Sequence, residues 1–140
     1  LVDAGFELTE VSDKIFNSIN YEGTLLISKI IENIRLYFEG KVAITEISLA
    51  EMKQIGVKAE DCETAINYAR DIETVELAVF IREMEDKRYK VSFRSKRSVD
   101  VSQIAMRFDG GGHKRAAGCT MSGNIHDIKE TIIGIAKELF

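Results

Sequence analysis

The 140-residue sequence contains no proline, only two cysteines and only two histidines. Without proline or a Ser/Gly-rich linker, punctuation falls to glycine and helix-capping residues. There is no internal repeat and no low-complexity tract, which excludes solenoid and disordered architectures. No apolar run reaches the roughly 18 residues needed to cross a bilayer, so no membrane partner is expected. No basic segment precedes an apolar stretch, so a secretory leader is not expected. A chain opening on Leu1 reads as part of a longer one. Cys62 and Cys119 stand far apart with no paired ligand spacing around either. They read as two reduced, partly buried thiols in a cytoplasmic protein.

What is present fits a soluble α/β domain: 45% hydrophobic and 30% charged residues, enough for a core without disulfides or metals. Net charge is −4, which argues against a general nucleic-acid binder. The charge is uneven, however. From Asp86 to Arg115, nine basic residues oppose three aspartates, leaving +6 on that stretch and −10 on the other 110 residues. A basic zone on an acidic body suits a compact anionic ligand. Scattered solvated charges are the other explanation.

Apolar spacing predicts a helix over Thr9–Ile19 and a second over Thr24–Phe38, stopped by Gly40. Lys41–Ile47 reads as a strand. Ser48 and Glu51 form a capping-box signature for a short helix closed by Gly56, and another helix is predicted over Asp61–Arg70. Strands follow at Glu76–Met84 and Tyr89–Ser95, with Asp86-Lys87-Arg88 as the hairpin turn. Asp100 caps a short helix to Phe108. Ala117–Met121 reads as a strand, and Asn124 caps a final helix to Leu139. The expected architecture is a mixed β-sheet with helices packed on its faces, and the two N-terminal helices serve as a connector.

Two segments carry chemistry. The first is Gly110-Gly111-Gly112-His113-Lys114-Arg115-Ala116-Ala117-Gly118. Three glycines in a row are entropically costly. A loop whose amides converge on phosphate would offset that cost, with His113 donating to the same group and Lys114 adding positive potential. Ala116, Ala117 and Gly118 would let a base or backbone sit close. A flexible turn with a surface histidine explains the glycines alone, but not the small residues beyond. The second segment is Ser92-Phe93-Arg94-Ser95. Strand alternation puts Ser92 and Arg94 on one face, where a guanidinium fork can hold a phosphate. An exposed arginine on a half-buried sheet is the simpler alternative.

Taken in order, Ser92-Phe93-Arg94-Ser95, Asp100-Val101-Ser102-Gln103-Ile104-Ala105 and Gly110–Gly118 resemble the DHH-associated C-terminal domain of DHH-family phosphoesterases. Among these the sequence is most similar to the bacterial nanoRNase/pAp phosphatase type, then to cyclic-dinucleotide phosphodiesterases and RecJ exonucleases. The motif likeness runs from about Glu76 to Gly118. The resemblance implies a substrate-binding domain at residues 41–140, with residues 1–40 a helical connector or the end of a preceding DHH domain. It implies that Arg94, Gly111, Gly112 and His113 contact a terminal phosphate and its nucleotide, with Ser95, Lys114 and Ala116 alongside. The implied partners are a short oligonucleotide or nucleotide phosphate and the DHH catalytic domain of the same parent, with a homodimer as an option. No catalytic residue and no cofactor is expected in this chain. Two Mn2+ ions belong to the DHH domain, and no Asp-His-His triplet occurs here. Asp109 stands where many family members have a fourth glycine, and is expected to point away from phosphate or to cap the preceding turn. A stand-alone tRNA or single-strand-binding module, as appended to alanyl-tRNA synthetases, is the competing reading.

Overall fold

The computed structural model describes residues 19–140. The helix predicted over Thr9–Ile19 lies outside these residues except for Ile19. Helix α1 (Tyr21–Glu32) starts where the Asn20 side chain accepts from the Gly23 amide at 2.7 Å. It is shorter than its apolar spacing predicts. The chain turns after Asn33, and Arg35–Tyr37 becomes edge strand β1. Phe38, Glu39 and Gly40 then take left-handed backbone angles and return the chain antiparallel into β2 (Val42–Ile47). Pairing with β2 overrides the helical spacing of Ile34 and Phe38.

After β2, the Ser48–Glu51 capping box opens α2 (Leu49–Ile55), and Gly56 closes it at φ 89°. The helix predicted over Asp61–Arg70 is split. A 3-10 turn covers Ala59–Cys62, and α3 covers Ile66–Arg70. These helices form the crossover to β3 (Leu77–Glu83), which runs parallel to β2. A parallel pair requires such a long connection. Asp86 and Lys87, both at positive φ, make the hairpin into β4 (Arg88–Ser95). Helix α4 (Val101–Met106), β5 (Gly111–His113), β6 (Ala116–Ser122) and α5 (Ile125–Leu139) complete the chain. The sheet order is β1-β2-β3-β4-β6-β5. The fold is an open, mixed α/β sheet, as expected.

Side-chain alternation divides the sheet into two faces. On one, Val42, Ile44, Val79, Ile81, Val91, Phe93, Ala117 and Cys119 pack against α4 and α5. Helix α5 supplies Ile128, Ile132, Ile135 and Ala136, spaced as one helical stripe. Each large aliphatic chain buried there contributes about 1.5–3 kcal/mol. On the other face, Ala43, Ile47, Ala78 and Phe80 pack against α1, α2, the 3-10 turn and α3. Thr45 ties α1 down by donating to the Ile30 carbonyl at 2.7 Å. This second helical layer contains no buried residue of β4 or β6; α3 reaches over β4, and the sheet beyond β3 is only partly covered on that face.

Candidate phosphate-binding site

Lys90, Ser92 and Arg94 alternate along β4 onto the open face. The β4–β6 register sets Ser92 opposite Gly118 and Arg94 opposite Ala116. Beyond β6, Gly111 lies opposite Gly118 and Gly112 opposite Ala117. Together these strands floor a hollow of about 320 Å³, with Glu63 at its rim. Four of the residues singled out in the sequence, Arg94, Gly111, Gly112 and Ala116, therefore line one hollow.

Arg94 is half-buried. Its only side-chain hydrogen bond is Nη1 to the adjacent Phe93 carbonyl at 3.0 Å, and no carboxylate lies within ion-pair distance among the described residues. Burial, and then the positive field of Arg70, push its guanidinium below the usual arginine range, although an arginine there stays protonated. A partly desolvated cation without a counter-ion is unfavourable. An anion entering the hollow would relieve both the burial and the repulsion from Arg70.

The three glycines are not a loop of converging amides. Gly111–His113 is a strand on the sheet edge, and strand amides alternate in direction. Each glycine has a separate reason. A Cβ on Gly110 would sit 2.2 Å from the Gly118 carbonyl oxygen. One on Gly112, at φ 145°, would sit 2.5 Å from that of Ala116. A Cβ on Gly111 would meet nothing within 4 Å. Packing thus explains two of the glycines. The third keeps the wall of the hollow bare.

Asp109 takes φ 60°. The Gly110 amide donates to the Ala105 carbonyl at 2.9 Å, and the Asp109 amide to that of Met106 at 3.3 Å. This pair closes α4 as a Schellman motif with Asp109 as its left-handed residue. Glycine fits that position most easily, and Asp109 is exposed there and does not line the hollow.

The remaining candidates lie apart. His113 is exposed. Its register opposite Ala116 puts it on the hollow's side of the sheet, beside the lining rather than in it. Ser95 alternates to the filled face and is buried. It donates to the Val99 carbonyl at 2.6 Å and accepts from Arg115 Nη1 at 2.9 Å. Arg115 is thereby spent on the 95–99 turn, where it also donates to the Val99 carbonyl. Lys114 is exposed in the β5–β6 turn, its carbonyl accepting from the Val101 amide at 2.9 Å. Lys96, Arg97 and Arg107 bond to the Ile72 carbonyl, Glu76 and Glu138. The basic stretch thus leaves Lys90 and Arg94 as the two cations lining the hollow. Ser92, Ala117 and Gly118, read in the two motif segments, line it as well, whereas Lys90 and Glu63 line it without having been singled out. The Lys90-x-Ser92-x-Arg94 alternation is a readable signal for Lys90.

Residues 39–138 match the DHHA1 domain family, and the chain belongs to it. Over 124 residues it is 29% identical to the bifunctional oligoribonuclease and PAP phosphatase NrnA of Thermus thermophilus, covering 88% of this chain and 36% of that protein. An exopolyphosphatase-related protein of Bacteroides fragilis superposes with a TM-score of 0.87 at 21% identity, covering 98% of this chain and 40% of that one. A Vibrio pGpG-specific phosphodiesterase superposes at 0.57 and 13% identity, covering 84% of this chain and 38% of that one. This chain thus spans little more than a third of such relatives. DHHA1 domains accompany a DHH catalytic domain in phosphoesterases that act on nucleotides. Among the described residues no three His, Cys, Asp or Glu side chains converge. They do not fit the manganese site that the family resemblance implies, and no step below runs through a metal. No described helix is long and apolar enough to cross a membrane.

Proposed function

We propose that this chain is the substrate-gripping half of a phosphodiesterase acting on short oligonucleotides or 3′,5′-bisphosphate nucleotides. A manganese-bearing DHH domain of the same parent would supply the attacking water. The observation that carries this reading is a half-buried Arg94 guanidinium without a carboxylate partner among the described residues, facing a hollow whose Gly111 wall is bare for no packing reason. Arg94 holds phosphate by charge-assisted hydrogen bonds. The bare Gly111 surface admits the attached nucleoside against backbone, with the Lys90 ammonium beside it over Gly118. Fixing the phosphate in this way orients the ester for attack. His113, on the same side of the sheet, is a second donor once a ligand is seated.

Calorimetric titration of AMP into the chain and into Arg94→Ala tests this. Losing a charged hydrogen-bond partner costs about 1.5–3 kcal/mol, so the variant should bind roughly 10- to 100-fold more weakly. Equal affinity in the two proteins would contradict the role of Arg94.

A further inference from the structure

Strands β5 and β6 are joined through Lys114 and Arg115, between the paired His113 and Ala116. A hairpin loop this short matches the twist of its strands when its residues take positive φ. The β3–β4 hairpin does so at Asp86 and Lys87, but neither Lys114 nor Arg115 is among the residues at positive φ. Left to itself, such a loop splays the strands it joins. Strand β5 has little else to hold it: Gly111, Gly112 and His113 are all exposed, and β5 pairs with β6 alone. The ties come from outside the hairpin. The Ser95 amide donates to the Arg115 carbonyl at 3.2 Å, and the Val101 amide to the Lys114 carbonyl at 2.9 Å. From the loop, Arg115 Nη1 donates to the Val99 carbonyl at 2.6 Å and to the Ser95 hydroxyl at 2.9 Å. At the other end of β5, the Gly110 amide is held by the Ala105 carbonyl. Strand β5 is thus a strap pinned at both ends.

Across the sheet, Ala116 lies between Arg94 and His113. Neighbouring strands are about 4.8 Å apart, so these two side chains rise on the hollow's side roughly 10 Å apart, with a single methyl between them. Resting on the proposed function, we propose that Arg115 is a positioning residue for the anion site. It fixes the rear end of β5, and so sets His113 where its imidazole and the Arg94 guanidinium reach one phosphate above Ala116. It acts through His113 and not on the ligand. Ser95 and Val99, to which it bonds, belong to the filled face, and Arg115 does not line the hollow. With its guanidinium removed the backbone ties remain, so the fold persists while His113 loses its fixed place.

The test is a double-mutant cycle read by calorimetric titration of AMP. Arg115→Ala should weaken binding roughly 3- to 10-fold, the value of one hydrogen bond lost at the ligand. His113→Ala should weaken it at least as much. In the His113→Ala background, Arg115→Ala should cost less than about 2-fold, because no imidazole is left to place. A merely structural role, or a direct contact between Arg115 and the phosphate, would cost the same factor with and without His113. Arg115→Lys should recover most of the loss, since an ammonium can still donate to the Val99 carbonyl. Circular dichroism of Arg115→Ala should match the parent chain. The proposal is overturned if Arg115→Ala binds AMP like the parent, if its effect is undiminished without His113, or if lysine recovers none of it. If Arg94→Ala weakens AMP while Arg115→Ala does not, the positioning role falls and the reading of the hollow stands. If Arg94→Ala changes nothing, the reading of the hollow fails and this proposal falls with it.

Discussion

On one side of β4, Val91, Phe93 and Ser95 face a filled core; on the other, Lys90, Ser92 and Arg94 face a groove. The filled side settles its polar atoms internally, since Ser95 both donates and accepts within the fold. The open side leaves a guanidinium half-buried and, among the described residues, without an ion-pair partner. One strand thus separates two tasks, and substitutions on its two sides should separate stability from binding.

The largest effect expected is on the filled side. Phe93 is fully buried, and Phe93→Ala should lower unfolding free energy by about 3–5 kcal/mol in denaturant titration. A loss below about 1 kcal/mol would show that this face is not the packed one. Next comes a contrast within the glycine run. In Gly110→Ala the new methyl collides with the Gly118 carbonyl, and the strain should cost about 1–3 kcal/mol. Gly111→Ala has open space and should change stability by no more than about 0.5 kcal/mol, yet weaken AMP binding. Similar stability losses in the two variants would erase the distinction drawn between these glycines. Ser95→Ala removes the hydroxyl that bonds both the Val99 carbonyl and the charged Arg115 guanidinium, which then keep only each other, a loss of about 1–3 kcal/mol. AMP affinity should be unaffected, because that hydroxyl points away from the groove.

The smallest effect is a pH dependence on the filled side. Burial pushes the Cys119 thiol up to about 11 from an ordinary 9.0. Between those values the folded thiol stays neutral while the unfolded one ionises. The thiol's contribution is therefore complete below about pH 9 and declines as pH rises towards 11. Compared with Cys119→Ala, the parent chain should lose on the order of 1–2 kcal/mol across that interval. A constant difference between the two proteins would mean that the thiol is not shielded.

Local signals were legible where they were self-contained. The Ser48–Glu51 box, the Asp100 and Asn124 caps, the left-handed Gly56 and the alternation of β3 and β4 each act within a few residues, and each appears where the sequence places it. Elements made by distant pairing were not legible. Strand β1 continues the apolar spacing of α1, and only its ladder with β2 makes it extended. Strand β5 is glycine-rich, with no intrinsic preference for a strand, and forms because β6 lies beside it. Gly111 and Gly112 line the hollow as part of an edge strand, not as the loop of converging amides that the glycine run suggests. At the site, Arg94 was readable from β4 alone. Glu63 was not, since the crossover that brings it to the rim depends on the packing of the 3-10 turn and α3. Ser95 follows from alternation, which sends it to the face opposite Arg94.

The most direct test of the central claim, that an anion enters between Arg94 and the bare glycine wall, is an amide and guanidinium NMR titration with AMP. The account predicts that Gly111, Gly112, Ala116, Gly118 and the Arg94 Nε–H shift together along a single binding curve. If those resonances stay fixed while AMP shifts residues on the α4–α5 face, the claim is contradicted.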